Sequence, residues 1–259
     1  MILAQISDPH VTLGPEDAGS AEALAAAVAA VEAFDPQPDA LLLSGDVTEH
    51  ATGAEYERAA ELLEPLSMPL HVMMGNHDDV DGLRAHLGAP GEPGEPLQYS
   101  EQLGELRLVA CDTTVRGHDH GELGPERLAW LEQELARDPG TLTVLAMHHP
   151  PVLIGVRPLD EIALVEADRL ALAELVAANP QVKRIVVGHV HRGATGGIGG
   201  CPVFVCASSY LQLALDLRPA SEIALVREPP VFGLHVVVGT ELISHSVPIG
   251  DHGRPFRLY

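Results

Sequence analysis

Ile2-Leu3-Ala4-Gln5-Ile6-Ser7-Asp8-Pro9-His10 begins the chain with a short apolar run that stops on a carboxylate and an imidazole. The same order of apolar run and polar cluster returns along the sequence. Ala40–Leu43 leads into Gly45-Asp46, and Leu70–Met74 into Gly75-Asn76-His77-Asp78. Leu142–Met147 leads into His148-His149, and Ile185–Val187 into Gly188-His189-Val190-His191. Short runs of this kind read as buried strands. Each cluster then stands at a strand's carboxyl end, where the loops of an open α/β sheet converge on one crevice. Asp, Asn and several His gathered in a crevice point to a metal site.

Between the runs the pattern is helical. A helix is expected over about Ser20–Phe34, with Ser20 as N-cap and Pro36 and Pro38 ending it. A second is expected over Gly53–Leu63, and Asp78 or Asp79 is placed to cap a third. This βαβαβ rhythm favours a parallel core with right-handed crossovers. Gly88–Pro96 reads as an exposed connection, and Leu97–Ser100 with Leu106–Asp112 as a hairpin. Helices over Gly124–Arg137 and Asp168–Ala178 alternate with strands at Thr141–Met147 and Arg184–Val187. Past His191 no helix is evident. Gly193–Gly200 reads as a turn, and Pro202–Ala207 as a strand. Glu222–Val226, Val231–Val238 and Glu241–Val247 read as strands of an added antiparallel sheet. Together these give an α/β chain, one domain over 1–259, with two sheets face to face and helices outside. Residues 208–238 are a β-rich segment suited to a lid or a dimer contact.

Composition excludes some partners. The chain has 259 residues and a formal charge of −22, from 37 acids against 15 bases, and Lys183 is its only lysine. No window clusters Lys and Arg, which argues against a nucleic-acid polymer as substrate or partner. An anionic small molecule would need cations supplied locally, and bound metal ions can supply them. Ala21–Phe34 is the longest apolar-rich stretch, too short and too interrupted by Glu to span a bilayer. With no leader-like start, a cytoplasmic protein is expected. Cys111, Cys201 and Cys206 lack a C-x-x-C pair, so buried thiols are the default and a Cys201–Cys206 disulfide the alternative.

The residue types suggest roles. Asp8 and His10, like His189 and His191, are two apart, and on an extended backbone such pairs share a side. The Asp46 carboxylate has two oxygens and can bridge two ions. The Asn76 amide oxygen can ligate, leaving His77 to handle protons. Adjacent His148 and His149 point opposite ways from an extended chain, so His148 is read as the ligand and His149 as its support.

In this order the clusters resemble the calcineurin-like metallophosphoesterase superfamily, whose motif runs D-x-H, G-D, G-N-H-[DE], H, G-H-x-H. The resemblance spans Asp8–His191. It implies a four-layer α/β/β/α sandwich holding two transition-metal ions, of Mn, Fe, Zn or Co. Asp8, His10 and His191 would hold one ion, Asn76, His148 and His189 the other, with Asp46 between them. Protein Ser/Thr phosphatases of the superfamily carry G-D-x-x-D-R-G, and purple acid phosphatases a Tyr three residues after the bridging Asp. Here Gly45-Asp46-Val47-Thr48-Glu49-His50 fits neither. The stretches SGDVTE, GNHDD, DTTVRGHDHGEL, AMHHPPV and GHVHR are instead similar to bacterial class III cyclic-nucleotide phosphodiesterases and the related glycerophosphodiesterases.

The resemblance implies hydrolysis of 3′,5′-cyclic nucleotides, cAMP first, to the 5′-monophosphate by a hydroxide bridging the metals. Glycerophosphodiesters are the alternative substrate. A catalytically inactive binding protein of the same fold is the remaining reading, and every expected ligand is present against it. His77 is the candidate general acid, and Asn76 a second substrate contact. His118 and His120 on the Arg116–His120 loop, and Arg192 after the last imidazole, are further candidates to touch phosphate. A homodimer is expected.

Overall fold

The computed structural model describes residues 1–15 and 19–251. Two sheets carry it. β1 (Ile2–Ile6), β2 (Ala40–Ser44) and β3 (Leu70–Met73) run parallel, joined by α1 (Ser20–Glu32) and α2 (Gly53–Leu63) and followed by α3 (Val80–Leu87). The second sheet starts with the antiparallel pair β4 (Tyr99–Leu103) and β5 (Leu106–Ala110). It continues through α4 (Gly124–Arg137), β6 (Leu142–Ala146), the single turn α5 (Arg157–Asp160), α6 (Glu166–Ala178) and β7 (Val182–Val187). β8 (Ala194–Ile198) and β9 (Cys201–Val205) complete it in the order β4-β5-β6-β7-β9-β8.

Strand period places the layers. In β2, Leu41 and Leu43 join the cluster that contains Leu24, Ala27, Val28 and Val31 of α1. Ala40 and Leu42, one residue out of step, join Leu108, Leu145 and Val186 of the second sheet. Leu131 and Leu135 of α4, with Leu172 and Val176 of α6, cover that sheet's other face. The result is the four-layer sandwich that the resemblance implies. Burying one such leucine is worth about 1.5–3 kcal/mol, so a one-residue slip in β2 would exchange both interfaces at once. Polar threads cross the gap: Gln5 Nε2 donates to Val187 O at 3.2 Å, and Arg184 Nη2 to Leu242 O at 2.7 Å.

Several sequence expectations need correction. Ser20 does not cap α1. Gly19, at φ 105°, holds that position, and the Ser20 hydroxyl accepts from Thr12 N instead. Asp79 caps α3 by accepting from Gly82 N, while Asp78 turns inward. The Gly-rich run after His191 is the edge strand β8, and only Gly199-Gly200 turns. The runs Val231–Val238 and Glu241–Val247 make no separate sheet. β12 (Val231–Val238) inserts antiparallel between β1 and β13 (Glu241–Pro248), extending the first sheet to β13-β12-β1-β2-β3. Val231–Val238 is therefore an interior strand of the first sheet, and the rest of the 208–238 segment precedes it. There β10 (Gln212–Leu213) and β11 (Leu225–Val226) form a small antiparallel ribbon. Cys111, Cys201 and Cys206 are free and buried, without a disulfide. Among the described residues no helix is long and apolar enough to cross a membrane.

Candidate metal centre

The strand ends meet through backbone that L-residues seldom adopt. Among the described residues, the non-glycine positions with positive φ are Asp8 (51°), His10 (46°), Asp46 (49°), Ala51 (52°), His189 (72°) and His191 (47°). All but Ala51 belong to the expected ligand set. Left-handed backbone costs an L-residue about 1–2 kcal/mol, and it persists only where surroundings impose it. Here Asp8 N donates to Gly45 O, His10 N to Asp46 O and Val11 N to Val47 O, a ladder carried past the ends of β1 and β2. His189 N donates to Asp8 Oδ1 at 2.9 Å, tying the last cluster to the first. A Cβ on Gly75 would run into Asp46, and one on Gly188 into the side chains of Ser7 and Asp8. Asp8 with His10, and His189 with His191, do converge, but not by strand alternation. Left-handed turns at each residue aim them.

Each imidazole is tethered at one nitrogen and open at the other. His148 Nδ1 donates to Ser44 O at 2.9 Å, His189 Nε2 to Ile162 O at 3.0 Å and His191 Nδ1 to Leu211 O at 3.0 Å. His10 Nδ1 donates to the Glu49 carboxylate at 2.6 Å. A carbonyl only accepts, so the tethered nitrogen carries the proton and the opposite one offers a lone pair. The inner atoms of one half, His10 Nε2 and His191 Nε2, stand 2.9 Å apart. In the other half, His148 Nε2, His189 Nδ1 and Asn76 Oδ1 are buried and have no hydrogen-bond partner among the described residues.

Asp46 lies between the halves. Its Oδ2 is 3.5 Å from His10 Nε2 and 3.3 Å from His148 Nε2, while its Oδ1 accepts from His77 N at 2.9 Å. Asp8 Oδ1 sits 3.7 Å from His191 Nε2. Asp8, His10, Asp46 and His191 thus form one compact donor group, and Asp46, His148 and His189 another. Paired lone pairs and orphaned buried acceptors are costly without a cation to face. The oxygen and nitrogen donor set suits two borderline transition-metal ions. Titration follows the same geometry. Burial opposes charge on Asp46, but His148 and His10 beside it hold its carboxyl well below the usual range. Burial likewise opposes a proton on His148, yet Asp46 and Asp8 push it up to about 9. Burial and the neighbouring His148 push His189 down to about 3.

A cavity of about 500 Å³ stands over this floor. His77 lines it, with its Nδ1 donating to the Glu49 carbonyl at 3.0 Å and its ring edge-on to His10. His149 faces away, bonded to Thr113 Oγ1 at 2.8 Å with its ring against His189. His118 and His120 do not line the cavity. His120 pairs with Glu122, and Asp119 between them reaches the cavity instead. Arg192 is also elsewhere, because its guanidinium donates to Leu213 O and Glu228 and anchors the β10–β11 ribbon. The sequence reading missed Glu49, the tether of His10, and the apolar wall of Ile162, Leu211, Leu213, Ile223 and Leu225. It also missed why Asp78 follows His77. That buried carboxylate accepts from Gly75, Val47 and Thr48 amides and locks two strand-end loops together. Burial and the charge of Asp46 raise its pKa to about 6.

Residues 1–193 match the family model described as Calcineurin-like phosphoesterase. A probable glycerophosphodiester phosphodiesterase, GpdQ, of Arcobacter nitrofigilis is 32% identical over 100% of this chain and 97% of its own. A cAMP/cGMP dual specificity phosphodiesterase of Mycobacterium tuberculosis is 34% identical over 83% of this chain and 67% of its own. Among solved structures, a dimetal phosphatase from Danio rerio superposes with a TM-score of 0.69 at 15% identity, covering 96% of each chain. That likeness speaks for the fold alone.

Proposed function

The chain belongs to the calcineurin-like phosphoesterase family, and we propose that it is a two-metal phosphodiesterase acting first on 3′,5′-cyclic nucleotides. The observation that carries this is the position of Asp46 Oδ2 between His10 Nε2 and His148 Nε2, with a full donor set on either side. Asp8, His10 and His191 would hold one ion, Asn76, His148 and His189 the other, and Asp46 both. Bound there, two divalent ions supply Lewis acidity to water and phosphate.

The protein's own groups do the rest. Asp46 is fixed for its shared role by the His77 amide, and the outward tethers hold each imidazole's lone pair on the centre. His77 stands beside the centre with Nδ1 committed to the Glu49 carbonyl. As the imidazolium it also carries a proton on Nε2, which passes to the departing ester oxygen and leaves the ring neutral, a contribution of about 10²–10⁴ in rate. Ring opening of a cyclic diester then yields one product, the 5′-monophosphate.

The wall supports a nucleoside. Ile162, Tyr210, Leu213, Ile223 and Leu225 offer apolar and aromatic surface that suits a purine better than a glycerol. Glycerophosphodiester hydrolysis is the second reading, favoured by the full-length match to the relative named for it. Turnover of cAMP, cGMP and glycerophosphocholine by the metal-loaded chain tests this. Faster cleavage of the cyclic nucleotides is expected, and preference for glycerophosphocholine would reverse the order. No hydrolysis of any of them would refute the proposal.

A further inference from the structure

The cavity over the metal centre has fixed side-chain charge of one sign at its mouth. Glu49 and Asp119 line it, and among the described residues no Lys or Arg does. Arg192, the cation nearest in sequence to the imidazoles, is tied to Leu213 O and Glu228. Asp119 is exposed, but its loop is held on both sides. His118 N donates to Val115 O at 3.0 Å, Glu122 N to Thr113 O at 2.9 Å and Val165 N to Gly121 O at 2.9 Å. Gly121 packs against the His149 ring so closely that a Cβ there would collide with it.

Substrate and product of phosphodiester hydrolysis differ in charge. Water adds to phosphorus, one P–O ester bond breaks, the leaving oxygen takes one proton and a second goes to solvent. A monoanion becomes a phosphomonoester, which is close to a dianion at neutral pH because its second pKa is about 6. Cations in the floor attract both species. Carboxylates at the mouth oppose the dianion about twice as strongly as the monoanion.

We propose that Asp119, assisted by Glu49, selects ligands by charge, favouring singly charged phosphodiesters over doubly charged monoesters and hastening product departure. This rests on the phosphodiesterase reading above for its biological sense, but the charge effect is measurable without turnover. A unit charge about 8 Å away in largely aqueous surroundings changes binding about threefold for a monoanion and about tenfold for a dianion.

The test is calorimetric titration of the Mn²⁺-loaded full chain, at about pH 8, with phenylphosphonate as dianion and its methyl monoester as monoanion. Wild type, D119N and D119K are compared. In D119N the dianion is expected to bind about tenfold tighter and the monoanion about threefold tighter. D119K extends both effects, and high salt shrinks them. Equal changes for the two ligands, no change in either, or no binding of either would overturn the proposal. Hydrolysis of bis(p-nitrophenyl) phosphate by the same samples separates the two claims. Inert protein with charge-graded binding refutes the phosphodiesterase reading and upholds charge selection. Active protein with charge-blind binding does the reverse.

Discussion

The floor and the wall of the cavity are built in opposite ways. In the floor, Asp8, His10, Asp46, His189 and His191 sit on left-handed backbone, and each imidazole is fixed by an outward hydrogen bond. In the wall, Ile223 and Leu225 are apolar and 57% and 60% exposed, on a ribbon whose paired strands are two residues long. The floor is over-determined, as a site must be that holds ions to a fraction of an ångström. At Ile223 and Leu225 the wall has little buried surface to lose, the mark of locally less stable parts of a fold. On the proposed reading, the chemistry falls to the floor and contact with the nucleoside to the wall.

That division can be broken by substitution. The largest effect is expected at the shared carboxylate. Asp46→Asn removes the charge common to both donor groups, and a loss of about 10³-fold or more in phosphodiester hydrolysis should accompany lower metal content. Normal activity with full metal content in this variant would mean that the floor is not organised around Asp46. At the boundary, His77→Ala should keep the ions and slow cleavage of alkyl esters by about 10²–10⁴, with much less effect on nitrophenyl esters, whose leaving group needs no proton. Equal slowing of the two ester types would remove His77 from proton transfer. The smallest effect belongs to the wall. Ile223→Ser with Leu225→Ser should raise KM for cAMP about fivefold through about 1 kcal/mol of lost apolar contact. kcat and metal content should stay as they are, and a fall in kcat would show that the wall takes part in the chemistry.

The same division separates what the sequence disclosed from what it withheld. Floor residues announce themselves because each follows directly on an apolar strand, as Asp8 follows β1 and His189 follows β7. Their aim was not legible. Left-handed turns at Asp8, His10, His189 and His191 do the work assigned to strand alternation, and Asp and His, though enriched in that region, do not specify it. The tethers were hidden for a related reason, since Ser44, Ile162 and Leu211 act through backbone carbonyls. β12 pairs with β1 from the far end of the chain, Leu3 beside His235, a long-range choice that local pattern cannot specify. β8 has the sequence of a turn because Gly196 and Gly197 suppress any strand signal, yet Gly196 is where Val152 packs in. The wall has almost no regular structure, and periodicity had nothing to act on.

Counting ions is the most direct measurement. The metal-stripped chain is titrated with Mn²⁺, and the loaded sample is assayed for phosphodiester hydrolysis and analysed for bound metal. Two ions per chain, with activity rising as they bind, is the result expected of a centre shared through Asp46. Folded protein that takes up no ion and cleaves no phosphodiester would contradict it.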